Sequence, residues 1–136
     1  MLKENLESKY YEYQMIEEQL KHTHRQLSTY AQHISELKSL HSNIDELKNI
    51  KEGCEILAPI GPGLFTVAEI RNNKKIIVNI GAGIAVAKDT EGSKEIINKQ
   101  IEELNNAMAQ LQIEATNATI YLQQLQKELQ ELTREA

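Results

Sequence analysis

The chain has 136 residues, enough for one domain, with 15 basic and 20 acidic side chains and a net charge of −5. That balance argues against a nucleic-acid binder, which needs a basic face to neutralise phosphates. No Trp and a single Phe leave little bulk for a globular core.

No segment approaches the about 20 apolar residues that a membrane span needs. The opening "MLKENLESKYYEYQ" also lacks the apolar run of a signal peptide. One cysteine, Cys54, leaves no intrachain disulfide, so a cytoplasmic protein is expected.

Three parts follow one another. Residues 1–52 have a net charge of −2, residues 53–88 of +2 and residues 89–136 of −5. Every glycine and both prolines lie between Gly53 and Gly92, so the two ends are free of helix breakers.

The first part carries a heptad rhythm in Leu2, Leu6, Tyr13, Ile16, Leu20, Leu27, Tyr30, Ile34, Leu37 and Ile44, interrupted by Lys9, Thr23 and His41. Near its end Leu37, Leu40, Ile44, Leu47 and Ile50 drift to a neighbouring stripe, where the partner surface is expected to change. "KEG", Lys51 to Gly53, is expected to close the helix, with Gly53 as its left-handed cap.

The middle part reads as four strands: "CEILAPI", "LFTVAEI", "KIIVNI" and "IAVAK". "IGPGLFTVA" from Ile60 and "IGAGIAVA" from Ile80 repeat one another at an offset of 20. The part is therefore two copies of strand, Gly-x-Gly turn and strand, each a β-hairpin, joined by "RNNK".

A phosphate-binding reading of the glycines fails. The dinucleotide fingerprint needs a third glycine where Val86 stands, and a helix where a strand continues. The strands are apolar on both faces, as the run Ile76, Ile77, Val78 shows. Ile56, Leu57, Ile60, Leu64, Phe65, Val67, Ile70, Ile80, Ile84 and Val86 also need cover. Isolated hairpins are marginal in water, so other chains are expected to supply it.

The last part has the cleanest pattern. Ile97, Ile101, Leu104, Met108, Leu111, Ala115, Ala118, Leu122, Leu125, Leu129, Leu132 and Ala136 follow steps of four and three. Asp89 or Thr90 is placed to accept free amides at the start of this helix. Ala115 and Ala118 narrow the apolar seam at mid-length. About 48 helical residues span ~70 Å, and two such helices in one chain fold back most simply as an antiparallel coiled coil. The alternative is that each pairs with another chain.

Chemistry-bearing side chains are sparse. His22 and His24 face different directions on a helix and share no metal, and His33 is a lone solvated residue. His41 sits on the seam, where a polar residue fixes register. Cys54 reads as a buried strand thiol. "NAT" at 117–119 matches a glycosylation sequon that means little without a secretory signal. No hydrolase or metalloprotease motif occurs, so no enzyme, cofactor or metal is expected.

The antiparallel arrangement brings Leu2, Leu6, Tyr10, Tyr11 and Tyr13 next to Leu122, Leu125, Leu129 and Leu132. Coiled-coil ends fray. These side chains either zip the end shut or, when parted, meet another protein's exposed apolar surface.

A helix, two hairpins carrying "APIGPGLFTVAEI" and "IIVNIGAGIAVAK", and a returning heptad helix together resemble the prefoldin family over essentially the whole chain. The doubled hairpin with paired IGxG turns is most like the alpha class of archaeal type, since the beta class has one hairpin. The resemblance implies an α+β fold: two long helices in an antiparallel coiled coil, joined by hairpins that build an oligomeric β-barrel platform.

It also implies an ATP-independent co-chaperone. Two alpha and four beta subunits would form a hexamer whose coiled-coil tips hold unfolded clients and pass them to a group II chaperonin. Ile56, Leu57, Phe65, Val67, Ile77, Val78, Ile84 and Val86 would build the platform. Leu2, Leu6, Tyr10, Tyr13, Leu122, Leu125, Leu129 and Leu132 would contact clients. The rival reading is a non-catalytic coiled-coil scaffold or tether.

Overall fold

The computed structural model describes residues 2–135. Helix α1 runs Leu2–Lys48, strands β1 to β4 run Glu55–Gly61, Leu64–Glu69, Ile76–Gly81 and Ile84–Lys88, and helix α2 runs Thr90–Glu135. The chain forms two compact units. One joins α1 up to Ile34 with α2 from Glu103, and the other comprises Ser35–Glu102.

In the first unit the expected seam is the packed face. Among its positions on α2, Ala115 and Leu125 are buried, and Leu104, Met108, Leu111, Ala118, Leu122, Leu129 and Leu132 are half-buried. Ala136, the last seam position, lies outside the described residues. The helices run antiparallel: Lys9 pairs with Glu128, and the Tyr121 hydroxyl donates to Glu12.

Two of the three interruptions on α1 lie in this unit and are absorbed rather than expelled. Thr23 is buried, and its hydroxyl donates to the Gln19 carbonyl at 3.0 Å, so no polar group is stranded. Lys9 keeps its stem at the seam and carries its charge to Glu128.

In the second unit Leu37, Ile44 and Ile97 are buried. The expected drift through Leu40 does not occur there. Leu40 is exposed and His41, the strict heptad position, is half-buried, so the register changes only after Ile44, where Leu47 and Ile50 are half-buried. Within this unit the ion pairs Lys48–Glu91, at 2.9 Å, and Lys94–Asp45 show the two helices running antiparallel.

Helix α1 stops at Lys48, short of the expected end, and a side chain from the hairpin linker caps carbonyls there. Asn73 Nδ2 donates to the carbonyls of Ile50, at 2.7 Å, and Lys48, at 3.4 Å. These are acceptors that a helix end leaves open. Gly53 is therefore not the cap of α1. It sits third in a turn closed by the Cys54 amide donating to the Lys51 carbonyl at 3.2 Å. Cys54 follows, exposed and ahead of β1, which corrects the expectation of a buried strand thiol. Asn73→Ala is expected to lower stability by about 1 kcal/mol, read as a shift in a urea melt, with hydrogen exchange rising first at Asn49 and Ile50.

Helix α2 starts as its sequence predicts. Asp89 Oδ1 accepts the Gly92 amide at 2.7 Å. A Cβ on residue 92 would lie 2.8 Å from that oxygen, so glycine is what allows the cap to close. Ser93 is fully buried and donates its hydroxyl to the Asp89 carbonyl at 2.8 Å.

The four strands make two separate antiparallel hairpins, β1–β2 and β3–β4. The repeat extends to their irregularities. In each, the register shifts just before the glycine that opens the turn, which leaves Ile60 and Ile80 at equivalent bulges. The turns differ. Pro62 followed by Gly63 at φ +73° meets the requirement of a type II turn. Ala82 at φ +53° and Gly83 at φ +74° make the two positive φ values of a type I′ turn, with Ala82 bearing the strain.

Candidate functional site

Two surfaces stand out, one in each unit. The first is on the hairpins. Strand alternation puts Leu57 and Pro59 on one face of β1, and the register pairs them with Val67 and Phe65 of β2. Leu57, Val67 and Phe65 are 67%, 64% and 58% exposed. In the second hairpin Ile77 and Ile84 are exposed, as are Ile60, Leu64 and Ile80 at the turns. Ile56, Val78 and Val86 are half-buried.

All eight expected platform residues therefore lie on the strands, with neither face fully covered. Scattered exposed apolar residues are ordinary, but this many in about 30 consecutive residues are a concentration that marks an interaction surface. Among the described residues neither sheet has a third strand, which leaves both hairpin edges open.

The second surface is at the end of the helical pair nearest the chain termini. A cleft of about 770 Å³ opens between the helices, lined by Leu6, Glu7 and Tyr10 of α1 and by Gln126, Leu129, Gln130, Thr133 and Arg134 of α2. Of the eight side chains expected to contact clients, the cleft brings together Leu6, Tyr10 and Leu129. Leu2 is exposed, Tyr13, Leu122 and Leu132 are half-buried, and Leu125 is 3% exposed, which makes it a packing residue in the closed pair.

Sequence reasoning missed the polar rim of the cleft. Its signal was available: Gln126, Gln130 and Thr133 fall at helical spacings around Leu129. It also missed Met15, which is exposed because it is apolar but out of register with the seam.

Charge supports closure at both ends. The Glu12 carboxylate accepting from Tyr121 pushes the phenol above its ordinary value, since ionisation would oppose two anions. Lys94 beside Asp45, and Lys48 beside Glu91, hold those carboxyls below their usual range, and Glu91 raises Lys48 in turn.

Asp45 and Glu91 therefore stabilise the fold above their unfolded values, and that contribution is lost as pH falls through their lowered values. Tyr121 and Lys48 stabilise it below their unfolded values and lose that contribution as pH rises through the raised ones. The melting temperature is expected to hold between about pH 6 and 9 and to fall below about pH 4 and above about pH 10. Asp45→Asn with Glu91→Gln should flatten the acid limb of a calorimetric pH series.

No helix among the described residues is long and apolar enough to cross a membrane. Among the described residues no three His, Cys, Asp or Glu side chains gather as a metal-ligand set, and His22, His24 and His33 are exposed.

Comparison with known proteins agrees with this architecture. The prefoldin subunit alpha of Methanobrevibacter smithii is 37% identical over 75 residues, 55% of this chain and 51% of that one. The prefoldin subunit alpha of Methanococcus aeolicus is 29% identical over 131 residues, 96% of this chain and 88% of that one. A filamentous PFD from Methanocaldococcus jannaschii, solved by cryo-EM, superposes with a TM-score of 0.69 at 18% identity, over 91% of this chain and 97% of that one, and so shares the fold. The family model described as "Prefoldin subunit" matches residues 16–135. The doubled hairpin, the heptad seam and this match over most of the length place the chain in the prefoldin family of chaperone subunits, where it resembles the alpha class.

Proposed function

We propose that this chain is a subunit of an ATP-independent holdase. Its hairpins assemble with beta-class subunits, two alpha to four beta, into a platform. Its helical ends capture unfolded proteins in the cytoplasm and deliver them to a group II chaperonin. The observation that carries the capture step is the open cleft at the helical ends, with Leu6, Tyr10 and Leu129 on its walls and Gln126, Gln130 and Thr133 around them.

Such a surface binds extended apolar segments weakly and without sequence preference. Several ends in one assembly then act together by avidity. Leu2 and Tyr10 are accessible as the pair stands. Tyr13, Leu122, Leu125 and Leu132 become so when the ends part, an opening that termini undergo most readily.

The platform rests on the apolar hairpin strands, on the exposed Leu57, Phe65, Val67, Ile77 and Ile84 and the half-buried Ile56, Val78 and Val86. The Methanocaldococcus protein, which shares this fold, is itself filamentous.

The test is light scattering from a chemically denatured protein diluted into buffer with the complex of this chain and a beta-class subunit. Scattering should be suppressed with no nucleotide present. A requirement for ATP would rule out the holdase, and unchanged scattering would favour a scaffold or tether.

A further inference from the structure

We infer that a client segment held in the cleft at the helical ends continues along α2 in extended form, on a stripe of glutamine, threonine and isoleucine that runs from Gln130 back to Ala109. This inference rests on the reading of that end as a capture site and names the class of segment it takes: extended, uncharged, and about ten residues long.

The surface does not end at the walls of the cleft. Three shallow depressions of about 370, 460 and 380 Å³ follow it along α2. Each shares side chains with its neighbour. Gln126 and Gln130 join the cleft to the first, Gln123 joins the first to the second, and Gln112 and Thr116 join the second to the third. Ala109, Ile113, Thr116, Ile120, Gln123 and Gln130 keep steps of four and three, with Lys127 completing the series, so they share one face of the helix. This face is not the seam that packs on α1: Ile113 and Ile120 are both more than half exposed. His24 and Leu27 of α1 border it at the second depression.

The chemistry of the stripe fits a chain without secondary structure. From Leu104 to Gln126 the only charged side chain of α2 is Glu114, and it lies off the stripe. The hydroxyls of Thr116, Thr119 and Thr133 donate to carbonyls of their own helix, at 2.9, 2.8 and 2.7 Å, so their donors are already used. The side-chain amides of Gln112, Gln123, Gln126 and Gln130 make no hydrogen bond among the described residues. Each amide carries donors and an acceptor, which match the N–H and C=O groups that an extended backbone leaves open. A helix has no such groups to offer along its side, and it would need a more continuous apolar seam than Ala109, Ile113 and Ile120 supply. The stripe from Ala109 to Gln130 is ~32 Å long, the length of about ten extended residues. Ile113 and Ile120 stand ~10 Å apart on it, close to the distance between every third residue of an extended segment.

The experiment is photo-crosslinking of a benzophenone-tipped peptide to the complex of this chain with a beta-class subunit, with the labelled positions of this chain mapped by mass spectrometry. The probe is Leu-Gln-Ser repeated four times, compared with the same unit repeated twice. The longer peptide should label α2 both within residues 109–116 and within residues 126–134. The shorter should label residues 109–116 about tenfold less, because it cannot span the stripe from the cleft. Ile113→Lys with Ile120→Lys, at exposed positions and with helix content checked by circular dichroism, should cut labelling of residues 109–116 by the longer peptide about tenfold and leave that of residues 126–134 in place.

Labelling of the wild type confined to residues 126–134, or absent from this chain, would overturn the extended path, as would undiminished labelling of residues 109–116 in the variant. If that same wild-type complex suppresses aggregation, the holdase reading still stands. Labelling of both segments in a complex that suppresses nothing would uphold the path and remove the holdase reading.

Discussion

Replacing Leu57 and Phe65 together by aspartate is expected to reduce the assembled complex to single chains of 15.5 kDa while leaving helix content unchanged. Both side chains are more than half exposed in the single chain, on one face of the first hairpin, so the substitutions remove little from the fold itself. Burying each at a subunit contact contributes about 1.5–3 kcal/mol. A carboxylate in its place must instead be desolvated without a partner. Two such sites at the centre of a contact would carry a large share of its binding energy. Sedimentation velocity with a beta-class partner reads the outcome directly, and an intact complex would mean that this face is not the interface.

The largest effect on the stability of the chain is expected at Leu125. It is the most buried apolar side chain of the described residues, at 3% exposure. Leu125→Ala should cost about 2–4 kcal/mol, because a helical pair has few neighbours able to collapse into the cavity. Leu129→Ala, at a half-buried position on the cleft wall, should cost markedly less. The loss is local in origin, since Leu125 lies between the Tyr121–Glu12 and Lys9–Glu128 contacts that hold the helices together at this end. Hydrogen exchange in α1 near Glu12 should therefore accelerate before that near Ile44. A uniform change along both helices would show that the two helical ends open as one unit.

The hairpin face and the helical end were written differently in the sequence. The hairpins were legible almost to the residue, because a period of two, a repeat at an offset of 20 and a glycine pair all mark the same turns. The seam of α2 was equally plain, since its Ile, Leu and Ala positions keep one period from Ile97 to Leu132. What the sequence concealed lies where a distant side chain decides. Asn73 caps the end of α1 at Lys48 from 25 residues away, which no local signal at Gly53 could reveal. His41 keeps the seam while Leu40 faces water, because register along a packed helix outweighs the apolarity of one residue.

The helical end was legible as a set of apolar residues but not as a site. The sequence grouped Leu125 with Leu6, Tyr10 and Leu129. Packing separates them, with Leu125 inside and the other three around an open cleft. Equal spacing on a helix does not distinguish the residue that closes a pair from the residue that borders its opening. Exposure is set by the small rotation between neighbouring heptads.

The division of labour between hairpins and helical ends is tested most directly by removing the ends alone. The measurement is aggregation suppression, without nucleotide, by the complex formed with a beta-class subunit from a chain lacking residues 1–10 and 127–136. Suppression should be weakened, through lost avidity, while the mass of the complex, corrected for the missing residues, is unchanged. Suppression at full strength by that complex would contradict capture at the helical ends.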